Sequence, residues 1–314
     1  MNVIKKKLAA VFAILLTSTF FASCSGTPLA ENDKANASAL TEIKSGAKIS
    51  YLGPEGTYTE EAALFFFSDG EFQAKKTVQM AIDDVISKNA DYAVIPQENT
   101  LGGAVTNYID ALIASKDIYV VGEVILPINQ TLMGIPGTSL DEIKTVCSHA
   151  QGIKQSEKWR KDNLPDASVQ EMDSTAAAAS FVAEKKDKSI AAIAAPRAAE
   201  LYGLSVLKDN VQITDTNKTR FYVLSDSCLK QEGQTNAVFV ASCEANRLDD
   251  IIIEMHNAGV ELVTIHDRPE GSYLGNYNYI LEVTKEGALS EDMIKKLSSF
   301  PEVLYRGSFS VVEK

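Results

Sequence analysis

Cysteine and histidine are scarce in this 314-residue sequence, with four of one and three of the other. The cysteines are Cys24, Cys147, Cys228 and Cys243; the histidines are His149, His256 and His266. No CxxC pair occurs, and no His/Cys/carboxylate cluster has metal-ligand spacing, so neither a metal site nor a disulfide scaffold is expected. An excess of basic charge is missing too: 30 Lys+Arg against 42 Asp+Glu give a net charge of −12. A nucleic-acid partner would need a basic face and is not expected; the acidity reads as solubility. There is no glycine-rich phosphate or dinucleotide fingerprint. "LGPEG" (52–56) and "LGGA" (101–104) are glycine turns. Nor is there a G-x-S-x-G elbow, and Ser148 and His149, adjacent at a helix start, do not face one another as a triad would need.

What is present begins with a basic, then apolar, leader. Lys5–Lys7 precede a stretch from Leu8 to Phe21 that is broken only by Thr17, Ser18 and Thr19. It is short for a spanning helix, which takes about 20 apolar residues. Small residues then lead to Cys24 in "FFASCSG". Residues 1–23 read as a secretory signal. The small residues before Cys24 resemble a bacterial lipobox, although Phe21 stands where leucine is usual. Cleavage before Cys24 and lipidation of its thiol are expected, placing the protein outside the cytoplasm on a lipid anchor. The alternatives are a plain signal with an incidental cysteine, or a cytoplasmic protein. Residues 24–46, small and polar, read as a flexible tether.

From Lys48 a unit recurs: a short apolar run, a turn or small polar residue, then a helical pattern. Ile49–Leu52 is strand-like, and Thr57 with Glu60 forms a capping box for a helix to about Phe67. A strand at Tyr92–Ile95 precedes a helix from about Gly103. Ser148 and then Ser174 or Thr175 cap the next helices, while Pro196 starts and Gly203 ends another. This alternation predicts an α/β fold with mainly parallel sheets. Ligands in such folds sit beyond the carboxyl ends of the strands, where helix N-termini attract anions. A cap taken alone is equally readable as stabilising its helix, by about 1 kcal/mol. Several caps beside Asn99, Gln151 and glycines predict an anionic-ligand cleft. After the polar stretch "DSCLKQEGQTN" the pattern changes. Strands at Ala237–Cys243, Val260–His266, Tyr277–Val283 and Val303–Phe309, with helices at Arg247–Asn257 and Glu291–Leu297, give βαββαβ, a ferredoxin-like sandwich.

In the order "YLGPEGTYTEEAA", "YAVIPQENTLGGAV", "CSHAQG", "STAAAA", "AAIAAPRAAELYGL" and "NKTRF", the stretch from Lys48 to Ser225 resembles the prephenate dehydratase family. The tail from about Ala237 resembles the ACT regulatory domain that follows in this family. The resemblance implies a two-lobed catalytic domain over 47–226, similar to type II periplasmic binding proteins, and an ACT domain over 235–314. It implies conversion of prephenate to phenylpyruvate, with loss of carbon dioxide and water and no cofactor or metal. Thr219 matches the family's catalytic threonine, and Glu98 is the second catalytic expectation. Thr57, Asn99, Thr100, Ser148, Gln151, Ser174, Thr175 and Arg220 match substrate-binding positions; Arg220 is equally readable as a structural ion pair. In the tail, Asn246-Arg247-Leu248 replaces a glycine-containing turn, and of an "ESRP" segment only Arg268 and Pro269 survive. The resemblance therefore implies a homodimer but leaves phenylalanine binding there in doubt. Arogenate as substrate, or a lipid-anchored binding protein for an anionic small molecule, are the competing readings.

Overall fold

The structure, a computed structural model, describes residues 42–229 and 233–314. The expected leader, Cys24 and the tether up to residue 41 lie outside the described residues.

The chain first builds β1 (Lys48–Leu52), β2 (Glu71–Lys75), β3 (Tyr92–Asn99), a two-residue β4 (Gly103–Ala104) and β5 (Tyr119–Pro127). It then crosses to a second sheet made of β6 (Thr131–Gly134), β7 (Thr145–Ser148), β8 (Ser168–Glu171), β9 (Ile190–Ala194) and β10 (Ser205–Lys208). It returns as β11 (Lys218–Ser225), which inserts between β3 and β5. The two crossings run side by side, tied by Ile128 N–H to Asn217 O (2.9 Å) and Val211 N–H to Gln130 O (2.8 Å). Two α/β lobes result, joined by paired strands of chain.

The sheets are mixed rather than mainly parallel. β1 runs parallel to β2 and β3, but β11, arriving from the other lobe, is antiparallel to both of its neighbours. In the second lobe β7 is parallel to β8 and β9, while β6 is antiparallel to β9 and β10. Alternation of strand and helix reveals the layers, but the direction of a strand that re-enters a sheet depends on the path between lobes.

Five helices of these lobes carry cap or packing signals. α1 (Tyr58–Phe66) is capped by Thr57, whose hydroxyl accepts from Glu60 N–H. The Glu60 carboxylate reaches Gly56 N–H (2.7 Å), one residue short of the reciprocal capping-box bond. α2 (Val78–Ile86) is capped by Thr77, and α3 (Thr106–Ala114) begins three residues after Gly103. α4 (Ala150–Gln155) is capped by His149 rather than Ser148; α5 (Glu157–Asn163) follows it. α6 (Thr175–Lys185) is capped by Ser174, and its buried Ala178 and Ala179 pack in one core with Ala192 and Ala194 of β9. α7 (Pro196–Tyr202) starts on Pro196 and stops at Gly203, which takes the left-handed φ of 65° that glycine permits.

A third sheet follows: β12 (Asn236–Glu244), α8 (Ala245–Asn257), β13 (Glu261–Pro269), β14 (Asn276–Thr284), α9 (Glu291–Leu297) and β15 (Val303–Phe309). Its order, β13-β14-β12-β15, is all antiparallel and ferredoxin-like. Strand alternation divides its two faces. Ala237, Phe239 and Ala241 pack on α8 and α9, whereas Val238, Val240, Ile280 and Phe309 join the first lobe's core beside Tyr108 and Tyr222. β12 is thus buried on both faces, which accounts for its near-continuous apolar run. A strand not anticipated from the sequence, β16 (Val311–Glu313), then pairs with β5 and makes the tail part of the first sheet. No disulfide joins Cys147, Cys228 and Cys243, all of them buried.

Candidate active site

Between the lobes lies a cleft of about 430 Å³. Thr57, Asn99, Gln151, Ser174, Thr175 and Thr219 line it, joined by Lys76, Gln130, His149, Gln155 and Phe221. The first lobe supplies Thr57 at the start of α1 and Asn99 and Thr219 on adjoining strands. The second supplies Gln151 on α4 and the Ser174–Thr175 start of α6. Two helices from opposite lobes, α1 and α6, therefore bring positive dipole ends to one cavity.

The centre of the site is a hydrogen-bonded set of neutral side chains. The Asn99 amide nitrogen donates to Thr219 Oγ1 and to Asn217 Oδ1, both at 2.9 Å. Its oxygen accepts from Gln151 Nε2 (3.0 Å) and from the backbone N–H of Gly102 (2.9 Å). Gln151 belongs to the other lobe, so this bond spans the cleft. Gly102 makes room for it: a Cβ there would sit 2.9 Å from Gln151 Nε2. Thr219 is 8% exposed. Its oxygen already accepts from Asn99, and its own proton has no acceptor among the described residues. A hydroxyl in that state keeps its donor for a ligand.

Thr219 faces the cleft by alternation with Phe221; Asn99 joins it through an irregular register. Thr219 pairs with Asn99 and Arg220 with Glu98, but Phe221 pairs with Pro96. Gln97 and Glu98 together oppose Arg220, a β-bulge of the kind that re-aims side chains. Strict alternation from Pro96, which lines the cleft, would have turned Glu98 inward and Asn99 away. The bulge reverses this.

Four expected site residues fall elsewhere. Glu98 lies on the back of the strand pair with its carboxylate 3.6 Å from Arg220, so the expected catalytic role is not supported by its position. Arg220 also points backward, as alternation with Thr219 requires, and is not on the cleft wall. It meets Glu123 (2.5 and 2.8 Å) and Glu282 of β14 (2.5 Å), both carboxylates fully buried. Burial opposes its charge, but the bond to Glu123 and the field of Glu282 outweigh this and raise its pKa. Burial, relieved only in part by Arg220, pushes Glu123 up to about 7, with Glu282 adding to the rise. Of the two readings of Arg220, the geometry is that of a structural ion pair. Thr100 is exposed and closes a reciprocal pair with the Lys218 backbone (3.1 and 3.2 Å), pinning β3 to β11. Ser148 is fully buried and donates to Ile193 O (2.6 Å) beneath the cleft floor; a Cβ on Gly152 would collide with it at 2.3 Å.

Residues the sequence reading passed over also line the cavity. Lys76 brings a cation with no ion-pair partner among the described residues; the signal was a lysine pair ahead of the Thr77 cap. Gln130 and Gln155, buried and bonded at 3.0 Å, come from segments far apart and carry no local signal. In the third sheet, Arg268 pairs with Asp110 of α3 (2.5 and 3.1 Å), and Pro269 lies beside it. His266 Nδ1 meets the Tyr108 hydroxyl at 2.5 Å, and burial lowers its pKa. The segment containing Arg268 and Pro269 thus contacts the first lobe.

A family model described as prephenate dehydratase matches residues 49–228. The prephenate dehydratase of Amycolatopsis methanolica is 34% identical over 254 residues, covering 79% of this chain and 82% of its own. A bifunctional chorismate mutase/prephenate dehydratase of Aquifex aeolicus is 32% identical over 262 residues, 82% of this chain and 71% of its own. Among solved structures, the prephenate dehydratase of Arthrobacter aurescens in complex with L-Phe superposes with a TM-score of 0.76 at 28% identity, covering 83% of this chain and 89% of that one.

Proposed function

This chain belongs to the prephenate dehydratase family, and from that premise we propose how it works as a dehydratase, a carbon–oxygen lyase. Its substrate is prephenate and its product phenylpyruvate. The bond from the ring to its hydroxyl breaks, the ring carboxylate leaves as carbon dioxide, one proton is taken up and water departs. Aromatisation drives the reaction. The site has to hold two carboxylates and assist the departing oxygen.

The observation that carries this reading is the Asn99–Thr219 bond of 2.9 Å, which occupies Thr219 Oγ1 as an acceptor and leaves its proton available to a ligand in the cleft. Thr219 donates to the leaving oxygen; a threonine is a poor acid at neutral pH, so it polarises that oxygen more than it transfers a proton. The N-termini of α1 and α6, with Thr57, Ser174 and Thr175, and with Lys76 added, receive the carboxylates. Gln151 closes the set from the second lobe. The bilobed arrangement resembles type II periplasmic binding proteins, and the βαββαβ module is an ACT-type domain. With Arg268 held by Asp110 and the glycine turn replaced, it has little left with which to bind phenylalanine. Cys24, in its lipobox-like context, is the lipid anchor of an exported enzyme.

The decisive test incubates the purified protein with prephenate and, separately, arogenate, and follows the ultraviolet absorbance of the aromatic product. Product from prephenate is expected. Product from arogenate alone would move the assignment to that amino analogue, and no product with measurable ligand binding would favour a binding protein. Calorimetry with L-phenylalanine is expected to show no tight binding. Cys24→Ser is expected to release the protein from membranes, and unchanged membrane association would rule out the anchor.

A further inference from the structure

We propose that Glu282, which lies in the third sheet and touches no cleft residue, is a positioning residue for the dehydratase. Through Arg220 it fixes the direction in which Thr219 and Asn99 face the cleft. This rests on the dehydratase reading above.

The Glu282 carboxylate is fully buried and its two oxygens are surrounded by donors. One accepts from Arg220 Nη2 (2.5 Å) and from Asn236 Nδ2 (3.4 Å). The other accepts from the Tyr222 hydroxyl (2.6 Å) and from Gln97 Nε2 (3.3 Å). Three of these four donors belong to β3 and β11, and they bracket the bulge. Arg220 is the single residue opposite the bulge, Gln97 is its extra residue, and Tyr222 follows two positions on. Glu98, the other bulge residue, is tied to the same guanidinium. One carboxylate from a different sheet therefore holds the back of the irregularity whose front presents Asn99 and Thr219.

Successive side chains on a strand point to opposite faces. A rotation of β11 that moved Arg220 off Glu282 would turn Thr219 through the same angle within the cleft. Adhesion alone does not call for this arrangement, since a buried ion pair adds little over apolar contact and Val238, Val240, Ile280 and Phe309 already join the two units. What the carboxylate adds is direction. A donor displaced by a fraction of an ångström from a leaving oxygen loses much of its value.

The test uses the full chain and measures kcat, KM and thermal midpoint for Glu282→Gln, Glu282→Leu, Arg220→Gln, the Glu282→Leu/Arg220→Gln pair and, as a control, Asp110→Asn, which breaks an exposed interdomain pair. For Glu282→Leu, kcat is expected to fall at least about tenfold with KM within about twofold. Glu282→Gln, which keeps an acceptor for Arg220, should retain more activity, and the control should match the parent. Because Glu282 acts through Arg220, Glu282→Leu should cost less than about twofold once Arg220→Gln is present. Folded Glu282 variants with parental kcat, or losses that multiply in the pair, would overturn the proposal. If Glu282→Leu does not fold, the isosteric Glu282→Gln carries the test. Should the parent itself not turn over prephenate, the functional reading falls, and positioning is then read from backbone amide exchange. Glu282→Gln should speed exchange in 218–221 relative to β1 and β7, and unchanged exchange there would sink the inference.

Discussion

The two faces of the β3–β11 strand pair are built from the same two short segments, yet they have opposite chemistry. On the front, Asn99 and Thr219 present neutral hydrogen-bonding groups to a cavity that also receives two helix N-termini. On the back, Glu98, Glu123 and Glu282 surround Arg220. The charged residues of "ENT" and "TRF" are consumed by docking, and the uncharged ones are left for the ligand. A cleft for a dianion gains from this separation. A carboxylate such as Glu98 inside it would repel the substrate, whereas neutral donors and helix dipoles attract an anion without needing a counterion of their own.

The comparison is broken most severely by removing the one cation of the back face. Arg220→Met leaves Glu123 and Glu282 buried without their partner, and a loss of about 3–5 kcal/mol in folding stability is expected from chemical denaturation. A loss under about 1 kcal/mol would mean that the cluster is not the joint it resembles. On the front, Thr219→Val keeps shape and removes the donor. Turnover of prephenate is expected to fall about 100-fold, near 2.7 kcal/mol, with stability almost unchanged. Undiminished turnover would remove Thr219 from the mechanism. The two variants thus separate the faces: one strikes stability first, the other chemistry alone.

Much of this was legible in the sequence. Cap residues marked α1 and α6, Pro196 and Gly203 bounded α7, and the final βαββαβ pattern emerged with its strand ends nearly in place. Thr57, Asn99, Gln151, Ser174, Thr175 and Thr219 all fall on one cavity. What stayed hidden depends on register and on distant partners. A one-residue bulge decides whether Glu98 or Asn99 faces a ligand, and no local pattern announces it. Arg220 is a binding residue or a structural one according to a glutamate 62 positions away. Ser148 is the residue type of a cap, but His149 caps α4 and the Ser148 hydroxyl turns down to Ile193. Lys76 and the Gln130–Gln155 pair are ordinary residues until two lobes bring them together. The same holds for β16, a short tail strand whose partner lies nearly 190 residues earlier.

Acidity tests the back face more gently. Glu123 titrates near 7 in the folded protein, chiefly because it is buried, against an unperturbed 4.5. A carboxyl whose folded pKa is raised binds its proton more tightly in the native state. Its contribution is therefore complete only below about pH 4.5 and is lost as the pH rises through about 7, a swing on the order of 3 kcal/mol. Carboxylates whose pKa is lowered, such as Asp84 and Asp91, act at more acidic pH and in the opposite sense. His266, whose pKa burial lowers, acts in the opposite sense within pH 5 to 8, so the Glu123 contribution is read as the difference between the parent and Glu123→Gln in thermal midpoints near pH 5 and near pH 8. The parent should lose stability across this interval, and Glu123→Gln should flatten the change. An equal drop in the variant would assign it to another group.

The smallest effect is the sharpest on assignment. Glu98 has its side chain one-third exposed and lies 3.6 Å from an arginine that already holds two closer carboxylates. Neutralising it removes a weak, partly solvated interaction. Glu98→Gln is therefore expected to leave kcat within about threefold of the parent and KM unchanged or slightly lower, since one negative charge near an anionic ligand is gone. A fall of about 100-fold would show that Glu98 reaches the reacting oxygen during turnover. That would require the bulge to slide by one residue, exchanging Glu98 for Asn99 at the front and breaking the Asn99–Thr219 bond. The same slide would release Gln97 from Glu282. A strong Glu98 phenotype combined with a weak Glu282 phenotype would therefore mean that the back face does not hold the strand pair at all.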